Sequence, residues 1–437
     1  MLIKKSWELA GCLLVVALIG ACSSDKILPK GDRVSILTPV ASIKPDVDNG
    51  ATLIKVPVAE NNLVWTHGDM NAQHLQKNIN VSFKNKQWKQ NFGQGNAKRE
   101  FLISKPLIAN GIVYALDADG VLQAFNLKDA SLVWKTRLSV ENKNDNDSAI
   151  KGVGIALDGN IIFATTGYGY VFAVEAKSGK IVWSKNLSLP IRISPVVASG
   201  KVFIQTVDNK FFALDAKNGN ELWNYDISSE NTTLVGGASA TYCKNLDVII
   251  TGFSNGELQA FNANLGTPLW SDVLISNRQA YSSTFLNTIK AAPVIEGNVV
   301  YALGNANVLT AIDIRSGSRV WEKEIGGTNT PLVVGNTVYV VTNDNELVAI
   351  DKQKGTVLWA ETIDLKGKSS DVIVHTPVMF NGRLVLALSN GIVYSIRPQT
   401  GKVINFADIG EELVTAPISA GGYVIFTTES ADLIAYK

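Results

Sequence analysis

The chain has 437 residues, enough for one large all-β domain or two to three ordinary ones. Its 40 Lys and Arg nearly balance 39 Asp and Glu, so no global field favours nucleic acid or an acidic substrate. A hydrophobic fraction of 46% supports a large core.

In chain order, residues 1–21 read as a targeting segment. Lys4 and Lys5 make a positive start, and "GCLLVVALIGA" (11–21) is an apolar run too short to span a bilayer as a helix. Gly20 and Ala21 then precede Cys22, and "LIGAC" resembles the lipobox of bacterial lipoproteins. The alternative is an ordinary secretory signal with a chance cysteine. The resemblance implies cleavage before Cys22 and its lipidation. With Ser23 following, it also implies sorting to the outer membrane, anchored by lipid and facing the periplasm. Two or more acyl chains, at about 0.8 kcal/mol per buried methylene, hold such a protein in place. Cys12 leaves with the signal and Cys243 stands alone, so it reads as a small buried hydrophobe and no intramolecular disulfide is expected. Residues 22–60 carry polar, Pro and Gly residues without sustained period, which predicts a tether, with a short ordered stretch at "RVSILTPVA". The folded domain is expected over 61–437.

One phrase then repeats, a strand, a tight turn and a strand carrying Trp. It reads "AFNLKDASLVW" to Trp134, "AVEAKSGKIVW" to Trp183, "ALDAKNGNELW" to Trp223 and "AFNANLGTPLW" to Trp270. It continues with "AIDIRSGSRVW" to Trp321, "AIDKQKGTVLW" to Trp359 and "SIRPQTGKVIN", where Asn405 replaces the aromatic. The Trp stands four residues after a Gly, with Ala130 in the Gly position of the first copy. Two further strands precede each phrase, and successive tryptophans lie 38 to 51 residues apart. Four-stranded units at this period are the mark of β-propeller blades. A β-solenoid has shorter rungs, and tandem sandwiches would not repeat one Trp turn so regularly. The C-terminal "LIAYK" lacks the turn and Trp that should follow, while "NKQWKQNFG" around Trp88 has no upstream partner. Joined, they make an eighth blade. The prediction is an all-β, eight-bladed propeller of four-stranded antiparallel blades, closed by the strand around Trp88. Trp88, Trp134, Trp183, Trp223, Trp270, Trp321 and Trp359 are expected to dock one blade on the next. The Gly supplies the positive φ of the turn, and a small Ala leaves room at the contact.

Chemistry-bearing patterns are sparse. His67 and His74 in "VWTHGDMNAQHL" have no Cys or acidic cluster at ligand spacing, and the third histidine is His375. "ENKNDNDSAI" (141–150) lacks the Gly and closing Glu of a calcium loop and reads as solvated. No nucleophile elbow, P-loop, GxGxxG or C-x-x-C-H occurs. Aromatics recur with strands rather than with basic runs, against a nucleic-acid surface. No catalytic residue, metal or cofactor is predicted.

The Ala-x-[Asp/Asn]…Gly-x-x-x-Trp phrase resembles the tryptophan-docking motif of propellers in the pyrroloquinoline-quinone (PQQ) superfamily. In its alcohol dehydrogenase branch the family pattern has adjacent cysteines, a calcium site and longer loops, and adjacent cysteines are absent here. The lipobox, the tether and the eightfold repeat are similar to the propeller lipoproteins of the outer-membrane β-barrel assembly (BAM) machinery. That resemblance implies a non-catalytic scaffold bound to POTRA domains of the barrel-forming subunit. It also implies neighbouring BAM lipoproteins, and unfolded outer-membrane proteins as clients. The family's partner patch, apolar residues beside an arginine after the second repeat, matches Leu189, Ile191 and Arg192 in "SKNLSLPIRISP", although Pro190 departs from the pattern. Leu189 and Ile191 read equally as strand core. The long loop 271–292 offers Arg278, Tyr281 and Phe285 as aromatic and arginine anchors. Thr288 and Lys290 stand where relatives carry an acidic pair. A periplasmic carbohydrate or peptidoglycan binder, and a PQQ-dependent dehydrogenase, remain the alternatives.

Overall fold

The computed structural model describes residues 42–97, 101–138, 151–228, 234, 236–276, 286–367 and 372–437. Within the unit Ser42–Lys437, eight four-stranded antiparallel sheets follow one another. Blades 1 to 7 span 107–137, 152–186, 196–226, 241–273, 294–323, 332–362 and 378–408. Blade 8 takes its three inner strands from 418–436 and its outer strand, Lys86–Asn91, from the other end of the chain. There Trp88 pairs with Ala435, and Asn85 and Lys437 exchange backbone bonds where the next turn would be. The split eighth blade expected from the two chain ends is therefore present.

Burial explains why the strands sort by position. The first strand of every blade but the second is three residues long and buried along almost all its length, as in Leu107–Ala109 and Val196–Ala198, blade 2's running to seven, and neighbouring first strands meet around the axis. The fourth strand alternates, as in Leu132–Arg137, with one face to solvent and the Trp face half-buried. Each Trp stands directly opposite a fully buried Ala, in pairs such as Ala213–Trp223 and Ala260–Trp270, with a bulge just beyond. The small residue that the repeat keeps is thus the cross-strand partner of the indole.

The docking direction is forward. All seven indole Nε1–H groups donate to a carbonyl in the next blade's outer hairpin, at 2.7–3.1 Å, from Trp88 to Leu127 through Trp359 to Pro398. The glycine of that hairpin lies against the ring: a Cβ on Gly266 would stand 2.5 Å from Trp223, and one on Gly219 2.7 Å from Trp183. Gly266 also has φ 70°, so the turn needs glycine for its backbone and again for its bare face. Asn405 now has a reason. Blade 8 has no outer hairpin, because its outer strand comes from Lys86–Asn91, so an indole on blade 7 would have no such hairpin to dock on.

Residues 42–80 follow a path that their composition did not announce. Asp46 accepts from Val357 N–H (2.8 Å) and Lys323 Nζ (2.7 Å), and Ile54 is buried against blade 6. This stretch covers blade 6's outer strand, so Val357 and Leu358 are 3% and 2% exposed while their counterparts Leu132 and Val133 are 54% and 46%. Of the expected tether over 22–60, the part from Ser42 onward therefore lies along the blades. Residues 62–80 then cross the axis on the face of the hairpins joining first and second strands. They bond to seven blades and to the loop entering blade 6: Trp65 to Ile108, Thr66 to Leu157, His67 to Val197, Ala72 to Tyr242, Gln73 to Ile295, Asp69 to Thr330, Ile79 to Met379 and Asn62 to Gly421. Trp65, 1% exposed, anchors this floor.

Candidate binding site on the loop face

Loops from each outer strand to the next inner strand all emerge on the face opposite this floor. Between them opens a central funnel of about 610 Å³, walled by loop residues such as Ile103, Pro195, Ala292 and Val374 and floored by His67, Asp69 and His74. The floor is a buried polar layer. Asp69 accepts from Lys105 Nζ (2.5 Å) and Thr330 Oγ1 (3.1 Å). Burial alone would push its pKa up, but the charge and hydrogen bond of Lys105, with Thr330, hold it below the ordinary carboxylate value. Burial drives the His67 imidazole down to about 3 and His375 to about 4, and lowers His74 as well. Each ring has a backbone partner: His67 Nε2 with Val197 (3.2 Å), His74 Nδ1 with Pro293 O (3.0 Å) and His375 Nε2 with Leu413 O (3.0 Å). These are neutral structural histidines. Among the described residues no three His, Cys, Asp or Glu side chains gather as a metal site.

A second cavity of about 330 Å³ adjoins the funnel where the loops into blades 3, 4 and 5 converge. Pro190, Val207, Leu234 and Phe253 line it, and Arg192, Ile193, Gly236 and Gly237 border both spaces. Arg192 is half-exposed at this boundary and has no carboxylate partner among the described residues. Ile191 is fully buried, bridged to Thr206 and packed in the core between blades 2 and 3, so it has no surface to offer a partner. Leu189 is half-buried and the adjoining Pro190 exposed. The sequence pattern could not separate these neighbours, because alternation along an irregular loop does not say which side faces out. Lys290 reaches the same boundary, its Cε near Gly236, and partial burial followed by the charge of Lys105 lowers its pKa. Thr288 is buried beside it, its hydroxyl without a hydrogen-bond partner among the described residues. Arg278, Tyr281, Phe285, the loop 141–150 and Cys22 lie outside the described residues.

Sequence reasoning did not anticipate Val207, Leu234 and Phe253. They come from two blades and an intervening loop, and only the ring brings them together. The adjacent glycines of "LVGGAS" were the available signal. A Cβ on Gly237 would stand 2.5 Å from Ile193 Cδ1, so glycine there lets Ile193 fill the wall.

Eight blades, six of them locked by a Trp on one and a Gly on the next, define a PQQ-like β-propeller. The family described as "Outer membrane protein assembly factor BamB" matches residues 79–149 and 139–361, more than half of the chain. The chain belongs to that family, the propeller branch of outer-membrane protein assembly. It is 26% identical over 327 residues to the BamB of Yersinia pestis, covering 74% of this chain and 81% of that one. It is 24% identical over 437 residues to the BamB of Burkholderia pseudomallei, covering 100% and 99%. In fold it resembles the crystal structure of BamB from Moraxella catarrhalis, with a TM-score of 0.67 at 18% identity over 80% of this chain and 100% of that one. It resembles the quinohemoprotein alcohol dehydrogenase of Comamonas testosteroni to the same TM-score, 0.67, at 13% identity over 86% and 80%. The propeller is thus common to assembly factors and quinone enzymes, and fold does not separate them.

Proposed function

We propose that this chain is a non-catalytic scaffold of the outer-membrane assembly machinery. It is held by lipid at Cys22, faces the periplasm and binds the barrel-forming subunit through its POTRA domains. The observation that carries the reading is Arg192, without a carboxylate partner among the described residues, at the rim of an apolar cavity in a chain of the BamB family. Loops on a rigid ring can act together, and an arginine beside an apolar hollow is a common anchor arrangement. Leu189, Pro190, Val207 and Leu234 supply the apolar contact, and Arg192 with Lys290 supplies charge for an acidic group of the partner. Thr288 and Lys290 stand where relatives were expected to carry an acidic pair, so in this reading the partner's charge differs there as well. Arg278, Tyr281 and Phe285 belong to the loop that leads to Lys290 and extend the same surface in this reading. Other BAM lipoproteins and unfolded outer-membrane proteins are the further partners. A dehydrogenase role has the fold in its favour but no adjacent cysteines in the sequence.

Arg192→Glu tests the reading by co-purification of the barrel-forming subunit from crosslinked membranes. A drop of about tenfold in its recovery, at normal level of the variant, is expected, since a lost charge-assisted contact of about 1.5–3 kcal/mol is one to two decades. Undiminished recovery removes Arg192 from the interface.

A further inference from the structure

Blade 7's outer strand, Val403–Asp408, differs from the other outer strands. All six of its residues are exposed, where the outer strands of blades 1 to 4 alternate. Val403, Ile404 and Phe406 are 52%, 41% and 58% exposed. The position after the Trp is Lys135, Ser184, Asn224, Ser271 or Glu322 in blades 1 to 5, and here it is Phe406. The Phe406 ring touches Tyr394 edge-on, with centroids 6.2 Å apart, and otherwise faces out beneath Lys366. The strand itself has no Lys, Arg or Pro, the residues that usually guard an open edge.

We propose that this edge is a self-association surface, pairing antiparallel with the same edge of a second copy about a two-fold axis at Asn405. The order of side chains selects that occupant. In the symmetric register Asn405 meets Asn405, Ile404 meets Phe406, Val403 meets Ala407 and Lys402 meets Asp408. Both apolar pairs then lose water and both strand ends carry opposite charges. Lys402 now bonds Glu361 at 2.7 Å while 69% exposed, so its ammonium has donors left for a second carboxylate. Blade 3's outer strand shows the contrast: the same two-fold operation about Trp223 would set Glu221 against Tyr225 and Asn220 against Asp226, with no opposite charges at the ends. The edge of blade 6 is already covered by the chain's own residues 43–56. Blade 7 alone among the described outer strands combines a bare edge, an added aromatic and complementary ends.

The inference is independent of the partner reading above, because it concerns the rim rather than the loop face. Its test is Asn405→Cys in the full chain, oxidised mildly in membranes and resolved without reductant. Cys243 is buried, and the parent chain controls for the remaining cysteines. Residues opposite one another in an antiparallel pair lie within disulfide reach. A disulfide-linked species of twice the mass is expected from Asn405→Cys and not from the parent or from Asn224→Cys on blade 3. Adding Lys402→Glu should reduce that species at least fivefold, and adding Asp408→Lys to the same chain should restore it. The proposal is overturned by a yield no higher than Asn224→Cys or by indifference to the charge exchange. It is equally overturned by a crosslink to a different polypeptide, which would assign the edge to an extended segment of another protein.

Discussion

The contact between an indole and a bare glycine is the smallest unit that fixes the angle between blades. A docked Trp buries about 150–250 Å², and truncating such a side chain leaves a hole that the next hairpin cannot fill. Trp223→Ala is expected to cost about 3–5 kcal/mol, read as a lowered midpoint in chemical or thermal unfolding. Gly266→Ala should cost about 2–4 kcal/mol, since it adds left-handed strain of about 1–2 kcal/mol to a Cβ driven into the Trp223 ring. If the turn conformation were the glycine's only role, Gly266→Asn would be nearly neutral; the ring contact predicts that Asn is as damaging as Ala. The sequence disclosed the turn requirement because periodicity runs along the chain. It hid the ring contact because the partner lies on the previous blade.

The histidines carry a residue-scale prediction of pH dependence. His67, His74 and His375 are held neutral in the fold, with pKa values depressed below the unfolded value near 6.5. Their burial costs nothing above pH 6.5. Below it the unfolded chain takes up protons that the fold refuses, so stability falls as pH drops from 6.5 towards about 4. The slope is up to about 1.4 kcal/mol per pH unit for each ring. Lys105 and Lys290 face His375 from the funnel wall and sharpen the effect, while Asp69 opposes it at His74. His375→Gln keeps a donor for the Leu413 carbonyl and should flatten this acid limb by roughly one ring's share. An unchanged slope of midpoint against pH would show that His375 protonates freely in the fold.

At the scale of elements, the outer strand is the variable one. Its inner face is fixed by the Trp, and its edge is left open, guarded by lysine, or covered. Blade 6 is covered in cis, and Asp46 is the clasp, tying backbone and side chain to Val357 while meeting Lys323. Asp46→Ala should cost about 1 kcal/mol, the exposed ion pair adding little to the backbone bond. It should also raise amide exchange at Val357 and Leu358 more than in blade 3. Equal exchange in both blades would mean that the cover stands without its clasp. The placement of 42–60 was illegible in the sequence because Val47, Ile54 and Val56 follow the groove between two blades and not the period of any one element. The four-stranded blades were legible for the opposite reason: each repeats the same alternation and the same turn.

At the scale of the molecule, the number of blades was readable from two incomplete phrases at the chain's ends, and the structure closes them against each other. The funnel floor was not readable, since 62–80 makes only one or two bonds to each of eight different partners and forms no element longer than a bridge. The candidate site was readable in part: Arg192 by position after a repeat, its apolar surroundings only through the ring. Removing Asp432–Lys437 takes away the strand between Tyr423–Thr427 and Lys86–Asn91. Because blade 8 also receives the indole-free face of blade 7 and passes Trp88 to blade 1, this short deletion should abolish the protease-resistant ring. A truncated chain that still resisted protease would show that seven blades close without the eighth.

That seam also dictates a sequence of events in time. Lys86 is made before blades 1 to 7 and meets Tyr436, which is made after them. The floor residues likewise await blades that follow them by hundreds of positions. Contacts so distant along the chain are slow to form. Lys86–Asn91 must therefore stay unsatisfied until all seven intervening blades have been made, and the ring's birth is a single late event, set by the arrival of Asp432–Tyr436.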